Sequence, residues 1–175
     1  VPGLSNFPEL NLRTYVYDRA GRPGVWFYSL DTPNPLANWI ARKFFHLNYR
    51  TARMAVTSDG GEVDYKAELK LAAGDDAPQR YRWRREGPVF TARPGSLEFF
   101  LVERYRLFAC DWKSGRLFSG RVHHVPYPIQ VPTVHQSTKR LFGLNQLETP
   151  AGAPDSVLCS AGVKVTVHPL ARVCG

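Results

Sequence analysis

The stretch best equipped for chemistry is Phe7-Pro8-Glu9-Leu10-Asn11-Leu12-Arg13-Thr14-Tyr15-Val16-Tyr17. In an extended chain successive side chains alternate, so Glu9, Asn11, Arg13, Tyr15 and Tyr17 share one face, and Leu10, Leu12, Thr14 and Val16 share the other. Acid, amide, guanidinium and phenols in one row supply every kind of hydrogen-bonding group. Such a face either meets solvent or lines a barrel interior and holds a polar ligand. Pattern alone leans towards solvent.

Other reactive side chains stand more alone. Lys43 falls inside an apolar helical stripe, where a desolvated amine would be nucleophilic, although a stem lying along the helix with its ammonium in water fits better. Glu103 and Arg104 are neighbours, which a strand would send to opposite faces: one inward, the other into an outer ion pair. His123 and His124 are split in the same way, with His124 favoured as the inward group, and His46 sits where a helix should end and its imidazole could cap carbonyls. The run Arg80-Tyr81-Arg82-Trp83-Arg84-Arg85 puts three arginines on one face of a strand and both aromatics on the other. That resembles a nucleic-acid ribbon, but it describes an ordinary amphipathic strand equally well, and nucleic acid is disfavoured. The five histidines show neither H-x-H nor H-E-x-x-H spacing, so no metal site is expected. Hydrolase, dinucleotide and phosphate-loop motifs are absent, and no cofactor is expected. Cys110, Cys159 and Cys174 are scattered and odd in number, which favours free thiols in a reducing compartment, read as cytoplasmic.

These residues need a frame. At 175 residues, 43% of them hydrophobic, the chain can bury a core without cross-links. It carries 23 basic against 15 acidic side chains, a net +8, which suits an anionic partner. No apolar run reaches bilayer length, and no membrane association is expected. The start, Val1-Pro2-Gly3-Leu4-Ser5-Asn6, lacks the pattern of a signal peptide, so the chain begins after a removed initiator Met or inside a longer protein.

Glycine and proline punctuate short alternating runs, the pattern of a β-dominated fold. Strands are predicted over Asn11 to Tyr17, Gly24 to Leu30, Thr51 to Thr57, Glu62 to Ala72, Gln79 to Arg85, Val89 to Ala92, Tyr105 to Trp112, Leu117 to Val125 and Val163 to His168. Ser58-Asp59-Gly60-Gly61 and Lys113-Ser114-Gly115 read as hairpin turns. A helix capped by Asp31 or Thr32 should place Leu36, Trp39, Ile40, Phe44 and Leu47 against the sheet. Shorter helices are predicted after Ser96, through Leu97, Phe100 and Leu101, and over Thr138 to Leu144. The fold class is mainly β, with a curled or closed antiparallel sheet and one to three short helices.

The run Phe7-x-Glu9-Leu10-Asn11-x-Arg13-Thr14-Tyr15-Val16 resembles the signature of the YqjF-like family, a group of uncharacterised bacterial proteins. Further matches follow in order: Gly24-Val25-x-Phe27-x-Ser29-Leu30-Asp31, Ala41-Arg42, Leu47-x-Tyr49, Ala52-x-Met54, Pro94-Gly95-Ser96-Leu97-Glu98, Phe100-Leu101, Glu103-Arg104-Tyr105, His124-x-Pro126 and Ser160-x-Gly162-Val163. The similarity covers nearly the whole chain, read as one domain over residues 1–175 that lacks a segment the family carries ahead of this point.

The family is in turn similar to the acetoacetate decarboxylase-like superfamily, which implies a closed β-barrel around a ligand cavity. On that relation the face of Glu9 and Arg13 points inward. The superfamily's decarboxylases use a Schiff-base lysine whose position would fall near Asn48-Tyr49-Arg50, where this chain has none. The expected function is therefore a small-molecule-binding barrel for a small carboxylate. Glu9, Arg13, Tyr15, Tyr49, Arg104 and His124 would form its polar lining, with Phe27 and Trp39 as walls. Arg13 or Arg104 would hold the carboxylate, and Glu9 would be the acid or base of any reaction. The alternatives are a lyase or hydratase acting on keto or enol acids without an imine, and a basic module for polyanions. A homo-oligomer is compatible with all three.

Overall fold

A computed structural model describes residues 7–69 and 78–173. In chain order the elements are β1 (Leu10–Tyr17), β2 (Pro23–Thr32), α1 (Pro35–Phe45), β3 (Tyr49–Asp59), β4 (Glu62–Leu69), β5 (Gln79–Arg84), α2 (Leu97–Val102), β6 (Arg106–Asp111), β7 (Arg116–His123), β8 (Ile129–Gln130), β9 (Thr133–Ser137), α3 (Arg140–Gly143), β10 (Cys159–Ser160), β11 (Thr166–Val167) and β12 (Ala171–Arg172). Ten strands form one curled sheet along the path β11-β7-β6-β2-β3-β4-β5-β9, with β1 on β2 and β12 on β7, while β8 and β10 pair separately. The two ends of the path are not paired with each other, so the sheet is curled rather than closed. It is also mixed: β2 runs parallel to both β3 and β6, and the remaining pairs are antiparallel.

β2 is the hub. β1 follows one edge of it from Pro23 to Asp31. On the other edge β6 takes Val25 and Trp26, and β3 takes Leu30 to Thr32. Between those stations the side-chain amide of Asn48 donates to the Tyr28 carbonyl at 2.7 Å, which satisfies a backbone acceptor that neither neighbour reaches. The β1–β2 register also slips here: Leu12 pairs with Ser29 and Arg13 with Phe27, leaving Tyr28 as the extra residue of a bulge. Phe27 and Leu30, three apart, would face opposite ways in a regular strand. The bulge turns both to the same side.

Helix α1 starts two residues later than the sequence suggests. Asn34, not Asp31 or Thr32, is its N-cap, with Asn34 Oδ1 accepting from Ala37 N at 3.1 Å and Pro35 opening the first turn. Asp31 and Thr32 are instead fully buried at the end of β2. The helix is also rotated from the expected stripe. Ala37 is buried and Ile40, Ala41 and Phe45 face the interior, while Leu36, Trp39 and Phe44 are 57, 53 and 57% exposed. Lys43 lies over the outer Trp39 ring, 4.8 Å from its centroid.

Ser96 caps α2 as expected, its Oγ accepting from Phe99 N at 3.2 Å. Two predicted strands shrink. Val89 to Ala92 contributes one bridge, Phe90 to Ile129, and of Val163 to His168 only Thr166–Val167 pairs. The end of the predicted Glu62 to Ala72 strand, beyond Leu69, lies outside the described residues, as does Cys174. Strand β9 reads Thr133-Val134-His135-Gln136-Ser137, with every residue exposed, so no apolar alternation announces it. No described helix is long and apolar enough to cross a membrane.

Candidate functional site

Between α1 and the curl of β1, β2, β6 and β7 lies a cavity of about 590 Å³. The inward residues of α1 form one wall, and Val25, Phe27 and Leu30 of β2 form the floor with Leu107 and Val122. The polar groups enter from β1 and the residue before it, from the start of β3, and from the loops that follow α2 and β7. Glu9, Asn11 and Arg13 line the cavity at alternate positions, as β geometry requires, and Tyr49, Arg104, His124 and Tyr127 complete the polar lining. Glu9 is the one carboxylate among the described lining residues, and none of those residues is a lysine.

The two arginines are held in one assembly. Arg13 Nη2 and Tyr15 Oη both donate to the Leu101 carbonyl, at 3.1 and 2.9 Å, which ties β1 to the last turn of α2. The guanidinium carbons of Arg13 and Arg104 stand 5.6 and 5.4 Å from the centroid of the same Tyr15 ring, and Arg104 also covers Phe100 at 4.3 Å. Tyr15 itself does not line the cavity; it carries the two cations that do. Arg104 Nη1 donates to the Glu103 carbonyl at 3.0 Å, and its buried Nε has no partner. Neither arginine forms an ion pair among the described residues.

At the other end of β1, Tyr49 Oη donates to Glu9 Oε2 at 2.7 Å and Asn11 Nδ2 donates to Glu9 Oε1 at 3.1 Å. Burial first, then the charge and hydrogen bond of Glu9, push the Tyr49 phenol far above its ordinary value, so it stays protonated as a donor. His124 stacks on Tyr105, with centroids 4.6 Å apart, and its Nδ1 lies 2.8 Å from the Val125 carbonyl. Glu103 forms no outer ion pair. It is 3% exposed and accepts from Tyr127 N at 3.0 Å and from Tyr105 Oη. This carboxylate therefore orders the loop beside the cavity, and burial followed by its hydrogen bond pushes Tyr105 up to about 12.

Of the residues singled out from sequence, Glu9, Arg13, Phe27, Tyr49, Arg104 and His124 come together in the lining; Tyr15 and Trp39 do not. Trp39 is turned outward by the rotation of α1. Asn11 joins the lining from the same face of β1, and Tyr127 from the loop directly after the His124-x-Pro126 motif. His46 ends α1 in the left-handed region at φ 49° and stacks on Phe118. Two of the four arginines of the run face an acid: Arg80 binds Asp64 through two nitrogens, at 2.9 and 2.5 Å, and Arg84 lies 3.9 Å from Glu62. Among the described residues no cluster of metal-ligating side chains occurs.

The curled mixed sheet and the three helices of the described residues have an acetoacetate decarboxylase-like fold. The crystal structure of acetoacetate decarboxylase from Legionella pneumophila superposes on 97% of this chain and 67% of its own with a TM-score of 0.63, at 11% identity. The chain belongs to DUF2071, a family of uncharacterized conserved proteins whose model matches residues 1–164. Uncharacterized protein YqjF of Bacillus subtilis (strain 168) is 36% identical over 154 residues, which are 88% of this chain. The match spans 62% of that relative's length, less than two thirds.

Proposed function

We propose that the chain binds a small organic acid in the cavity beneath α1, its carboxylate held by Arg104 and Arg13 and its apolar part lying against Phe27, Leu30, Ile40 and Phe45. The observation that carries this reading is the pair of guanidiniums that have no acidic partner among the described residues, stationed over one tyrosine ring at the edge of a mostly apolar chamber. A bound carboxylate would give both guanidiniums charge-assisted hydrogen bonds. Glu9, held by Tyr49 and Asn11, forms no ion pair with either arginine among the described residues.

With no lysine in the described lining, the reading involves no imine chemistry. A lyase or hydratase acting on the bound acid would use Glu9 as its proton acceptor. The polyanion alternative has less support, because Asp64 and Glu62 already answer two of the three arginines of β5, Arg80 and Arg84. Unpaired thiols at Cys110 and Cys159 support a reducing cytoplasmic setting.

The test is thermal unfolding and calorimetry with acetate, butyrate and acetoacetate against butyramide. The carboxylates should raise Tm, since a ligand taken only by the folded state stabilises it, and the amide should not. Arg104→Gln should weaken carboxylate binding by roughly tenfold or more, as expected for losing a charge-assisted pair. Equal stabilisation by amide and acids would end the proposal.

A further inference from the structure

The other half of the sheet holds a second cavity, of about 420 Å³, built by β4, β5, β9 and the segment from Pro154 to Ser160. Pairing register explains its walls. Tyr65 lies directly opposite Tyr81 across β4 and β5, and Trp83, two residues on from Tyr81, points the same way. The face of the arginine run that carries its aromatics is therefore the lining of a chamber. The Tyr65 and Tyr81 rings meet at 73° with centroids 6.5 Å apart, making two sides of a corner, and Trp83 adds a third aromatic to the lining.

The charge in this chamber differs from that in the first. Its carboxylate is Glu9, which lines both cavities and forms the partition between them. Its one cationic lining residue is Arg82, whose side chain is exposed. Burial first, and then the charge of Glu9, push the Tyr65 phenol up. Aromatic faces are themselves negative, and their attraction for a cation grows where water is excluded.

We propose that this second cavity is a binding site for a small organic cation of the alkylated-ammonium class, its methyl groups against Tyr65, Tyr81 and Trp83 and its charge answered by Glu9. The proposal does not rest on the ligand of the first cavity, because Arg13 and Arg104 line only that one. An alkylated ammonium fits better than a lysine-type ammonium. Its charge is spread over weakly hydrated methyl groups that lose little on leaving water, and it needs no hydrogen-bond acceptors beyond the carboxylate.

The experiment compares choline with its uncharged carbon isostere, 3,3-dimethylbutan-1-ol, by calorimetry at matched sodium chloride, using tetramethylammonium as a second cationic probe. The two alcohols have the same shape, so the ratio of their affinities reads the charge alone. Choline should bind roughly tenfold more tightly, the size expected of a cation in an aromatic corner. Trp83→Leu keeps an apolar side chain on the strand and should lose most of that preference while retaining butyrate stabilisation in the first cavity. Tyr65→Leu serves as a second variant if the first does not fold. Equal affinity for choline and isostere, absence of binding by both cations, or full preference retained in a folded variant would overturn the proposal. Loss of butyrate binding alone would count against the first cavity's function and leave this one standing.

Discussion

At the scale of single residues, function and stability divide between two arginines. Arg104 has no acidic partner among the described residues, whereas Arg50 is committed: its Nε and Nη2 reach the two oxygens of Asp31 at 2.6 and 3.0 Å, and Nη2 also reaches Ser29 Oγ at 3.0 Å. Side-chain exposures of 19% for Arg50 and 1% for Asp31 place the pair largely out of water. Taking one partner from a buried pair leaves an uncompensated charge, so Asp31→Asn should cost about 3 kcal/mol in urea unfolding. Replacing both residues, as Asp31→Asn with Arg50→Met, should recover part of that loss, because no lone charge remains. A single variant as stable as the wild type would show that the pair does not anchor β2 to β3. The sequence revealed less here than on β1. Alternation placed Glu9, Asn11 and Arg13 on one face because a strand has only two faces. Nothing local showed that the Tyr15 ring would carry two guanidiniums while its hydroxyl reached the Leu101 carbonyl, or that Asp31 would meet a residue nineteen positions away.

At the scale of elements, the decisive feature is close approach around β2. A Cβ on Gly24 would stand 2.5 Å from Phe108 Cε2 and 2.9 Å from the Arg106 carbonyl, one of them backbone that cannot swing aside. On Gly120 the nearest atom, at 2.7 Å, is the end of the Leu170 side chain, and the nearest backbone is 3.4 Å away. Gly24→Ala should therefore destabilise by about 2 kcal/mol, the scale of forced overpacking, and Gly120→Ala by distinctly less. Equal shifts in the denaturant midpoint would mean that β2 and β6 can separate at little cost. Most longer strands were legible from alternation, and α2 from Ser96, because those signals are local. The face of α1 was not. Leu36, Trp39 and Phe44 are apolar and helically spaced, yet a helix over a cavity needs slimmer inward residues, and Ala37 and Ala41 supply them. A hydrophobic stripe shows that a helix is amphipathic, but its rotation is settled by what lies beneath it. The bulge at Tyr28 likewise depends on the partner strand, and no turn residue marks it.

At the scale of the whole molecule, β2 joins two half-sheets, each holding a cavity. β1, β6 and β7 shape the first, β4, β5 and β9 the second, and every path between them along the sheet runs through β2. A strand with neighbours on both edges and its last four residues buried exchanges its amide hydrogens only when much of the fold opens, whereas two-residue strands at an edge open locally. Native-state hydrogen exchange should therefore find the slowest amides in Val25 to Thr32 and fast ones in β11 and β12. Saturating butyrate should slow exchange in β1 and at the end of α2, where Arg13 and Tyr15 hold the Leu101 carbonyl, more than in β9. The contrast tests both architecture and site, because a ligand in the first cavity protects the elements that position its arginines before it protects the far half of the sheet. If β2 exchanged as quickly as β9, the halves would be independent units that merely abut.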